Sequence, residues 1–341
     1  MSAYKSTNTS TSNQNTNIVV FAASTYAQPV IWYLAQKEVL AGVIVPDPRE
    51  MSSQAAEVQQ LLRMLLDANI PVQACSKDNL TIIHQQFDQW HGHMGLIVGY
   101  PHILPSVLVE YLSNSVEFGC YNLHASTLPK YRGPQPLYWQ IRNQERKSAI
   151  VLHKVEKEPD TGNIIVQTPF SIGERETLPN LLQRVAHTSV DLIASLLENW
   201  PPNKQYQQGE TQQSLDPSLP QTINYARRLL TSDLTLDFNQ QSPAQIVAQC
   251  LAGNGQAQSA LFSFRQVVCN LMQATEIKQS NFGTEPGTIL MIDEYEGVIV
   301  SVYRGALRLD VVSVAGGVYS GLAFAELFQI DAGCQLQTVS L

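Results

Sequence analysis

Three polar residues in the middle of the chain carry side chains that suit chemistry at a carbonyl group: Asn122, His124 and Asp160. Such chemistry needs a donor for the developing oxyanion, a group that moves protons near neutral pH, and a charge that orients that group. An amide, an imidazole and a carboxylate match these three needs. The sequence therefore predicts a polar catalytic site that contains these residues.

The residues around Asn122 have the pattern of a short buried strand, from Phe118 to Leu123. Side chains two apart on a strand point to the same side, so Asn122 and His124 are expected to share a face at its carboxyl end. In open α/β sheets ligands bind at this end of the strands. The Pro- and Gly-rich residues that follow predict a loop over the crevice, so the fold alone favours a site here.

Alternating strand and helix patterns predict the elements that position the site. In chain order they predict strand 17–22, a helix from Pro29, strand 42–45, a helix from Ser52, strand 95–100, helix 105–112, the strand that carries Asn122, helix 135–143, strands 148–155 and 164–168, and helix 178–199. This alternation favours a mainly parallel, Rossmann-like sheet with helices on both faces. A helix near 243–251 and short β-rich runs, such as 298–303 and 307–314, predict a smaller C-terminal β-rich domain.

Length and composition predict a two-domain enzyme. The chain has 341 residues, of which 44% are hydrophobic, and this length exceeds what one core usually serves. We expect a disordered polar tail at 1–17, a catalytic domain at 18–200, a Pro- and Gln-rich linker at 201–221 and the C-terminal domain at 222–341.

Several classes of protein are disfavoured by what the sequence lacks. No Gly-x-Gly-x-x-Gly, Gly-x-x-x-x-Gly-Lys-Ser/Thr or Gly-x-Ser-x-Gly motif occurs, which disfavours nucleotide-cofactor enzymes and serine hydrolases. His91 and His93 have no further ligands at zinc-site spacing, so we expect a loop and no metal. The tail has no apolar core, and the five scattered cysteines include no Cys-x-x-Cys pair, which together predict a cytoplasmic protein without membrane contact.

Three motifs in a fixed order carry a family resemblance: Asn-x-His at 122–124, Ser-x-Leu-Pro-Lys-Tyr-Arg-Gly at 126–133 and Asp-Thr-Gly at 160–162. They resemble the N10-formyltetrahydrofolate-dependent formyltransferases, in a layout similar to that of methionyl-tRNA formyltransferase. The resemblance covers residues 18–341 and is strongest in the middle third. It implies transfer of a formyl group from N10-formyltetrahydrofolate to a primary amine, and an OB-like C-terminal domain.

The resemblance also implies roles for individual residues. Asn122 and His124 would stabilise the tetrahedral intermediate, and Asp160 would tune His124 and help to remove the amine proton. The folate ring would lie against a loop with these residues: Gly99, Tyr100, His102, Ile103 and Leu104. The loop after the catalytic strand would face the substrate with Ser126, Lys130, Arg132 and Gly133. The two basic side chains could meet an anionic part of the substrate or simply be solvated.

Charge bears on which amine accepts the formyl group. The net charge of the chain is −8, and residues 221–341 contain six Lys and Arg against ten Asp and Glu, a balance of −4. The family's tRNA-contacting insertion is basic, whereas residues 46–53 contain one arginine and two acids. This balance disfavours initiator methionyl-tRNA without excluding it. The alternatives are a small amine such as an amino sugar or amino acid, water in a formyltetrahydrofolate hydrolase, or an inactive folate-binding protein.

Overall fold

The chain is described by a computed structural model over residues 16–52, 54–77, 79, 81–198, 208–212, 225–253, 260–278 and 283–339. These residues form two compact units. The first lies within Met1–Asn122 and Leu197–Asn203, and the second within Leu123–Leu196 and Lys204–Leu341. The predicted tail and most of the predicted linker fall outside the described residues, and the domain boundaries given above stay predictions.

The first unit is an alternating α/β structure. Its strands are β1 (Ile18–Ala22), β2 (Leu40–Pro46), β3 (Val72–Cys75) and β4 (Met94–Val98), in the order β3-β2-β1-β4 with all neighbours parallel. The helices are α1 (Gln28–Gln36), α2 (Ala55–Asp67), α3 (Thr81–Gln89) and α4 (Ser106–Asn114). Every residue of β1 is apolar and fully buried, as expected for a central strand covered on both faces.

Strand β5 (Cys120–His124) starts in the first unit and ends in the second. In the second unit it is followed by α5 (Pro136–Arg142), β6 (Lys147–Lys154), β7 (Ile164–Ser171) and α6 (Leu178–Glu198). Strands β6 and β7 form an antiparallel hairpin in which His153 pairs with Ile164. The turn of this hairpin contains Asp160, so the hairpin holds the carboxylate near the end of β5.

The rest of the second unit is a curled antiparallel sheet with short helices. The helices are α7 (Thr231–Leu234), α8 (Pro243–Gly253) and α9 (Gly321–Phe328). The strands are β8 (Leu261–Phe264), β9 (Val267–Ile277), β10 (Ile289–Asp293), β11 (Gly297–Val302), β12 (Gly305–Val314), β13 (Gly317–Ser320) and β14 (Gln337–Thr338). They follow the order β10-β11-β12-β9-β8-β14, with β13 on β12. The sheet encloses an apolar core in which Phe238, Phe262 and Phe324 are almost completely buried.

The predicted fold class is confirmed, because a Rossmann-like mixed sheet with helices precedes a β-rich C-terminal part. The predicted helices and strands are all present with shifted ends, and His91 and His93 lie in a turn and loop as expected. The sequence did not predict β3 and α3, since β3 is short and α3 is rich in polar residues, and it did not predict α7 and α9. None of the helices in the described part of the chain is long and apolar enough to cross a membrane.

Candidate active site

His124 is the last residue of β5, and its side chain is only 6% exposed. Asn122 is half-buried on the same strand, two residues earlier. The Nε2 atom of His124 lies 2.8 Å from the carbonyl oxygen of Tyr131, to which Nε2–H donates. In its neutral form, therefore, His124 carries its single N–H on Nε2.

The loop after β5 is held in place by hydrogen bonds and by a small apolar cluster. Gln140 donates to the carbonyl of Ala125 at 2.7 Å, and the Tyr131 hydroxyl donates to Glu145 at 2.8 Å. Leu128 packs into a buried cluster on the β6–β7 hairpin. Tyr131 has a φ of 58°, a left-handed conformation that aims its carbonyl at His124. The loop thus fixes the position of the Tyr131 carbonyl, which is the hydrogen-bond partner of Nε2 of His124.

Asp160 lies in the turn between β6 and β7, with a φ of 57°. Two residues later, a Cβ on Gly162 would lie 2.0 Å from the carbonyl oxygen of Lys154, so only glycine fits there. The amide N–H of Gly133 donates to Oδ2 of Asp160 at 2.8 Å. The Asp-Thr-Gly motif is therefore a turn whose shape presents a carboxylate to the loop after β5.

The structure brings His124 and Asp160 together, with Nδ1 and Oδ1 3.7 Å apart. Burial lowers the pKa of His124, outweighing the opposing effect of the Asp160 charge, while His153 lowers it further. Although burial acts in the opposite direction, the imidazoles of His124 and His153 and the N–H of Gly133 hold the pKa of Asp160 well below its usual range. The pair is therefore a neutral imidazole beside a carboxylate anion.

Two further residues touch Asp160, and sequence reasoning missed both. Nε2 of His153 lies 3.5 Å from Oδ1, and His153 is 1% exposed. The side-chain amide of Gln212 donates to the backbone carbonyls of Asp160 and Gly162 at 2.8 and 2.9 Å. A histidine at the end of an apolar strand, just before an Asp-Thr-Gly turn, is the signal that could have revealed His153. Gln212 gave no signal among the many glutamines of its segment.

The remaining loop residues singled out from the sequence have structural contacts. Ser126 is fully buried, and its hydroxyl donates to the Lys130 carbonyl at 2.8 Å. Arg132 donates through Nε to the side-chain oxygen of Gln212 at 3.0 Å. Lys130 and Arg132 are both half-buried rather than fully solvated. Gly133 has a φ of 118°, and a Cβ there would lie 2.7 Å from the Ala226 carbonyl oxygen.

The loop predicted to bind folate lies in the first unit, between β4 and α4. Gly99 has a φ of 67° and faces the Tyr26 ring, and the Tyr100 ring packs edge-on against Phe21 at 5.7 Å. Ile103 is 73% exposed and Leu104 is buried. An exposed apolar side chain beside a backbone turn fits a flat heterocycle, which could cover the apolar atoms and pair with backbone groups. His102 stacks edge-on against Tyr100.

No group of three or more His, Cys, Asp or Glu side chains that could hold a metal ion occurs among the described residues. All five cysteines are free thiols. Burial raises the pKa of Cys75 to about 11, of Cys250 to about 12 and of Cys269 to about 11, so these thiols are not nucleophiles near neutral pH.

Comparison with known proteins places this arrangement in context. Residues 16–197 match the formyl transferase family. The chain is 28% identical over 232 residues to a methionyl-tRNA formyltransferase from Prochlorococcus marinus, covering 65% of this chain and 68% of that one. It is 24% identical over 303 residues to the methionyl-tRNA formyltransferase of Thermosipho melanesiensis, covering 88% and 90%.

Two solved structures share the fold. HypX from Aquifex aeolicus has a TM-score of 0.59 at 14% identity, over 94% of this chain and 49% of that one. The chain thus spans about half the length of HypX. An N-formyltransferase from Helicobacter canadensis, solved with folinic acid and dTDP-3-aminofucose, has a TM-score of 0.57 at 18% identity, over 89% of this chain and all of that one.

Proposed function

The chain belongs to the formyl transferase family, and we propose that it transfers a formyl group from N10-formyltetrahydrofolate to a primary amine. The observation that carries the proposal is the buried pair of His124 and Asp160, which lies inside the segment that matches the family. A neutral imidazole supplies an N–H to a developing oxyanion, and a carboxylate held as an anion accepts a proton. Formyl transfer needs both.

The proposed reaction starts with attack of a neutral amine on the formyl carbon. A C–N bond forms and the π electron pair of the carbonyl moves to its oxygen. That oxygen accepts the Nε2–H of His124 in place of the Tyr131 carbonyl, and Asn122 offers its amide as a second donor. Collapse restores the C=O bond and breaks the bond between the carbon and N10. The amine loses one proton, with help from Asp160, and N10 gains one.

Folate is proposed to bind at the loop of Gly99, Tyr100, His102, Ile103 and Leu104, whose exposed Ile103 offers an apolar surface to a flat ring. Structures with this fold contain folates: folinic acid in the Helicobacter canadensis enzyme and tetrahydrofolic acid in HypX. We place the enzyme in the cytosol, supported by its five free thiols. Tetrahydrofolate is the expected second product.

Two acceptors are supported by different observations. Two relatives that this chain matches across about nine tenths of their length are methionyl-tRNA formyltransferases. This similarity supports initiator methionyl-tRNA as the acceptor. The balance of −4 over residues 221–341, from six basic and ten acidic residues, supports a small amine instead. The proposed transfer step is common to both.

The test is release of tetrahydrofolate from N10-formyltetrahydrofolate by purified protein, with initiator methionyl-tRNA, with a panel of amino sugars and amino acids, or with no added amine. Release that requires an amine supports the proposal and identifies the acceptor. Formate release without an amine would indicate a hydrolase, and folate binding without turnover would indicate an inactive binding protein. The His124→Ala variant is expected to bind folate normally and to lose turnover. Near-normal turnover in that variant would remove His124 from its proposed role.

A further inference from the structure

A cavity of about 470 Å³ in the second unit lies beside α5, α7 and α8. Ligand-binding cavities have volumes of roughly 300–1,000 Å³, so this one has room for a small organic molecule. Its walls include six residues from these helices and from the turn after α5: Trp139, Arg142, Asn143, Ser232, Asp233 and Gln245. None of the three residues proposed to act in formyl transfer is among the residues that line it.

Arg142 brings a positive charge to the cavity wall. Its side chain is half-buried, and Nη1 donates to the backbone carbonyl of Gln245 at 3.1 Å. Among the described residues, no carboxylate forms an ion pair with this guanidinium. Burial lowers the pKa of Arg142, although Tyr138, Cys250 and Asp233 act in the opposite direction. Because an arginine stays protonated at neutral pH, an anion bound beside it would offset the cost of burying its charge.

Asp233, the acidic residue of the cavity wall, is already neutralised. Its Oδ1 and Oδ2 accept from the guanidinium of Arg227 at 2.7 and 2.5 Å, and Oδ2 also accepts the N–H of Leu230 at 2.6 Å. Two arginines, Arg142 and Arg227, against one aspartate leave a balance of +1 here, in a chain of net charge −8. This balance suits a singly charged anion, and a planar guanidinium suits a carboxylate.

The rest of the wall suits the organic part of such an anion. The Nε1–H of Trp139 donates to the Arg227 carbonyl at 2.7 Å, and the Arg227 guanidinium lies over the indole, 4.9 Å from the ring centroid. Because its one polar atom is bonded in this way, the half-buried indole offers the cavity apolar surface. The exposed Ser232 adds a hydroxyl that can bind a polar substituent.

We propose that this cavity binds a small organic carboxylate, with the carboxylate on the Arg142 guanidinium and the organic part against the Trp139 indole. The ligand takes no part in the transfer step. Asn143 connects the cavity with the loop after β5, because its Nδ2 donates to the Tyr131 hydroxyl at 3.1 Å. The ligand would therefore lie against a side chain that supports this loop.

The test is a titration of the ¹⁵N-labelled full chain with sodium benzoate at fixed ionic strength, followed by NMR at the indole N–H of Trp139. The Trp139→Phe variant assigns this signal among the four tryptophans. Benzamide has the same size as benzoate but no charge, and it serves as the control ligand. We expect a saturable shift with benzoate at a Kd of about 1 mM, and binding of benzamide at least about tenfold weaker.

Two pairs of variants locate the benzoate. Arg142→Gln removes the charge and keeps an amide near the Gln245 carbonyl, and we expect it to weaken benzoate binding at least about tenfold. Its control, Arg146→Gln, removes an exposed arginine outside the cavity wall and should leave Kd within about twofold of wild type. Ser232→Phe fills the cavity from an exposed position and should abolish the saturable shift, whereas Thr231→Phe, at the exposed neighbouring position, should retain it.

Each other result counts against the proposal. No saturable shift up to about 20 mM benzoate would overturn it, and so would equal binding of benzamide. A shift that persists in Ser232→Phe would place the benzoate elsewhere, and binding of inorganic phosphate in place of benzoate would overturn the assignment to a carboxylate. If Arg142→Gln failed to fold, Ser232→Phe would still decide, because it leaves the charge in place. The titration needs no turnover, so it is independent of the proposed formyl transfer.

Discussion

At the scale of single residues, Asp160 is the centre of the site because four groups converge on it. Gly133 and two imidazoles face its carboxylate, and Gln212 binds its backbone carbonyl. A carboxylate that is held from several sides costs little reorganisation when a proton moves. Because His124 and Asp160 are both buried, their protonation affects the free energy of unfolding of the protein as well as the chemistry of the site.

The lowered pKa of His124 predicts a loss of stability on mild acidification. The unfolded chain binds a proton near the ordinary histidine pKa of about 6.5, above the pKa of folded His124. The unfolded state therefore holds more protons below about pH 6.5, and the free energy of unfolding falls as pH falls. Urea unfolding of wild type and His124→Gln between about pH 7.5 and pH 5 measures this difference.

In the His124→Gln variant the free energy of unfolding should decline less between about pH 7.5 and pH 5 than it does in wild type. The pKa of Asp160 is also lowered in the folded protein, so this residue stabilises the fold when it is ionised. Its contribution to the free energy of unfolding is present above about pH 3.9 and is lost as pH falls through the pKa of folded Asp160. Parallel curves for the two proteins would show that His124 is not held neutral by burial.

At the scale of elements, the β6–β7 hairpin depends on Gly162. A Cβ atom added at Gly162 would lie 2.0 Å from the backbone oxygen of Lys154, and this oxygen cannot move aside as the end of a flexible side chain could. We expect Gly162→Ala to lower the free energy of unfolding by about 1–3 kcal/mol and to reduce turnover by displacing Asp160. Urea denaturation and the formyl transfer assay measure the two effects.

Gly173→Ala is the control for this hairpin. A Cβ at Gly173 would meet its nearest neighbour at 3.5 Å, an ordinary van der Waals distance, so its stability should change little. Equal losses in the two variants would mean that the close approach at Gly162 is not what shapes the turn.

The segment that contains Gln212 is a second element that supports the site. Glu210 and Ile164 exchange two backbone hydrogen bonds of 2.8 Å, and Gln212 bridges Asp160, Gly162 and Arg132. Gln212→Ala leaves buried carbonyls without their donor, so we expect a loss of about 1–3 kcal/mol in stability and a lower kcat. Gln240→Ala removes an exposed glutamine of the same size and should change neither. A wild-type kcat in Gln212→Ala would limit this segment to a structural role.

The alternation of side chains along a strand explains which part of the candidate site was predictable from the sequence. Asn122 and His124 share β5 because side chains alternate, a local rule that needs no tertiary information. His153 becomes visible only through the hairpin register that pairs it with Ile164 and turns the chain back toward Asp160. Gln212 lies in a stretch whose composition indicates a linker, and only a long-range contact distinguishes it from its neighbours.

At the scale of the whole molecule, charge limits how the protein can bind RNA. Residues 221–341 have a balance of −4, six basic against ten acidic residues, within a chain of net charge −8. Each contact between a basic side chain and a phosphate makes binding more sensitive to salt. With about two such contacts, we expect kcat/KM for an RNA acceptor to fall no more than about tenfold between about 50 mM and 200 mM salt. The same assay with a small amine gives the baseline. A fall of about 1,000-fold would indicate about six contacts and a basic surface that net charge conceals.

The Tyr131 carbonyl has a consequence for the protein before an acceptor amine reaches the bound formyl donor. Because it accepts the Nε2–H of His124, the most reactive hydrogen-bond donor of the site is already satisfied. A bare donor in that position would recruit a solvent molecule, and a solvent molecule beside an activated formyl group is the nucleophile of a wasteful side reaction. In the proposed reaction the developing oxyanion replaces this carbonyl oxygen, and until then we expect the contact to keep the carried one-carbon unit from being lost to bulk water.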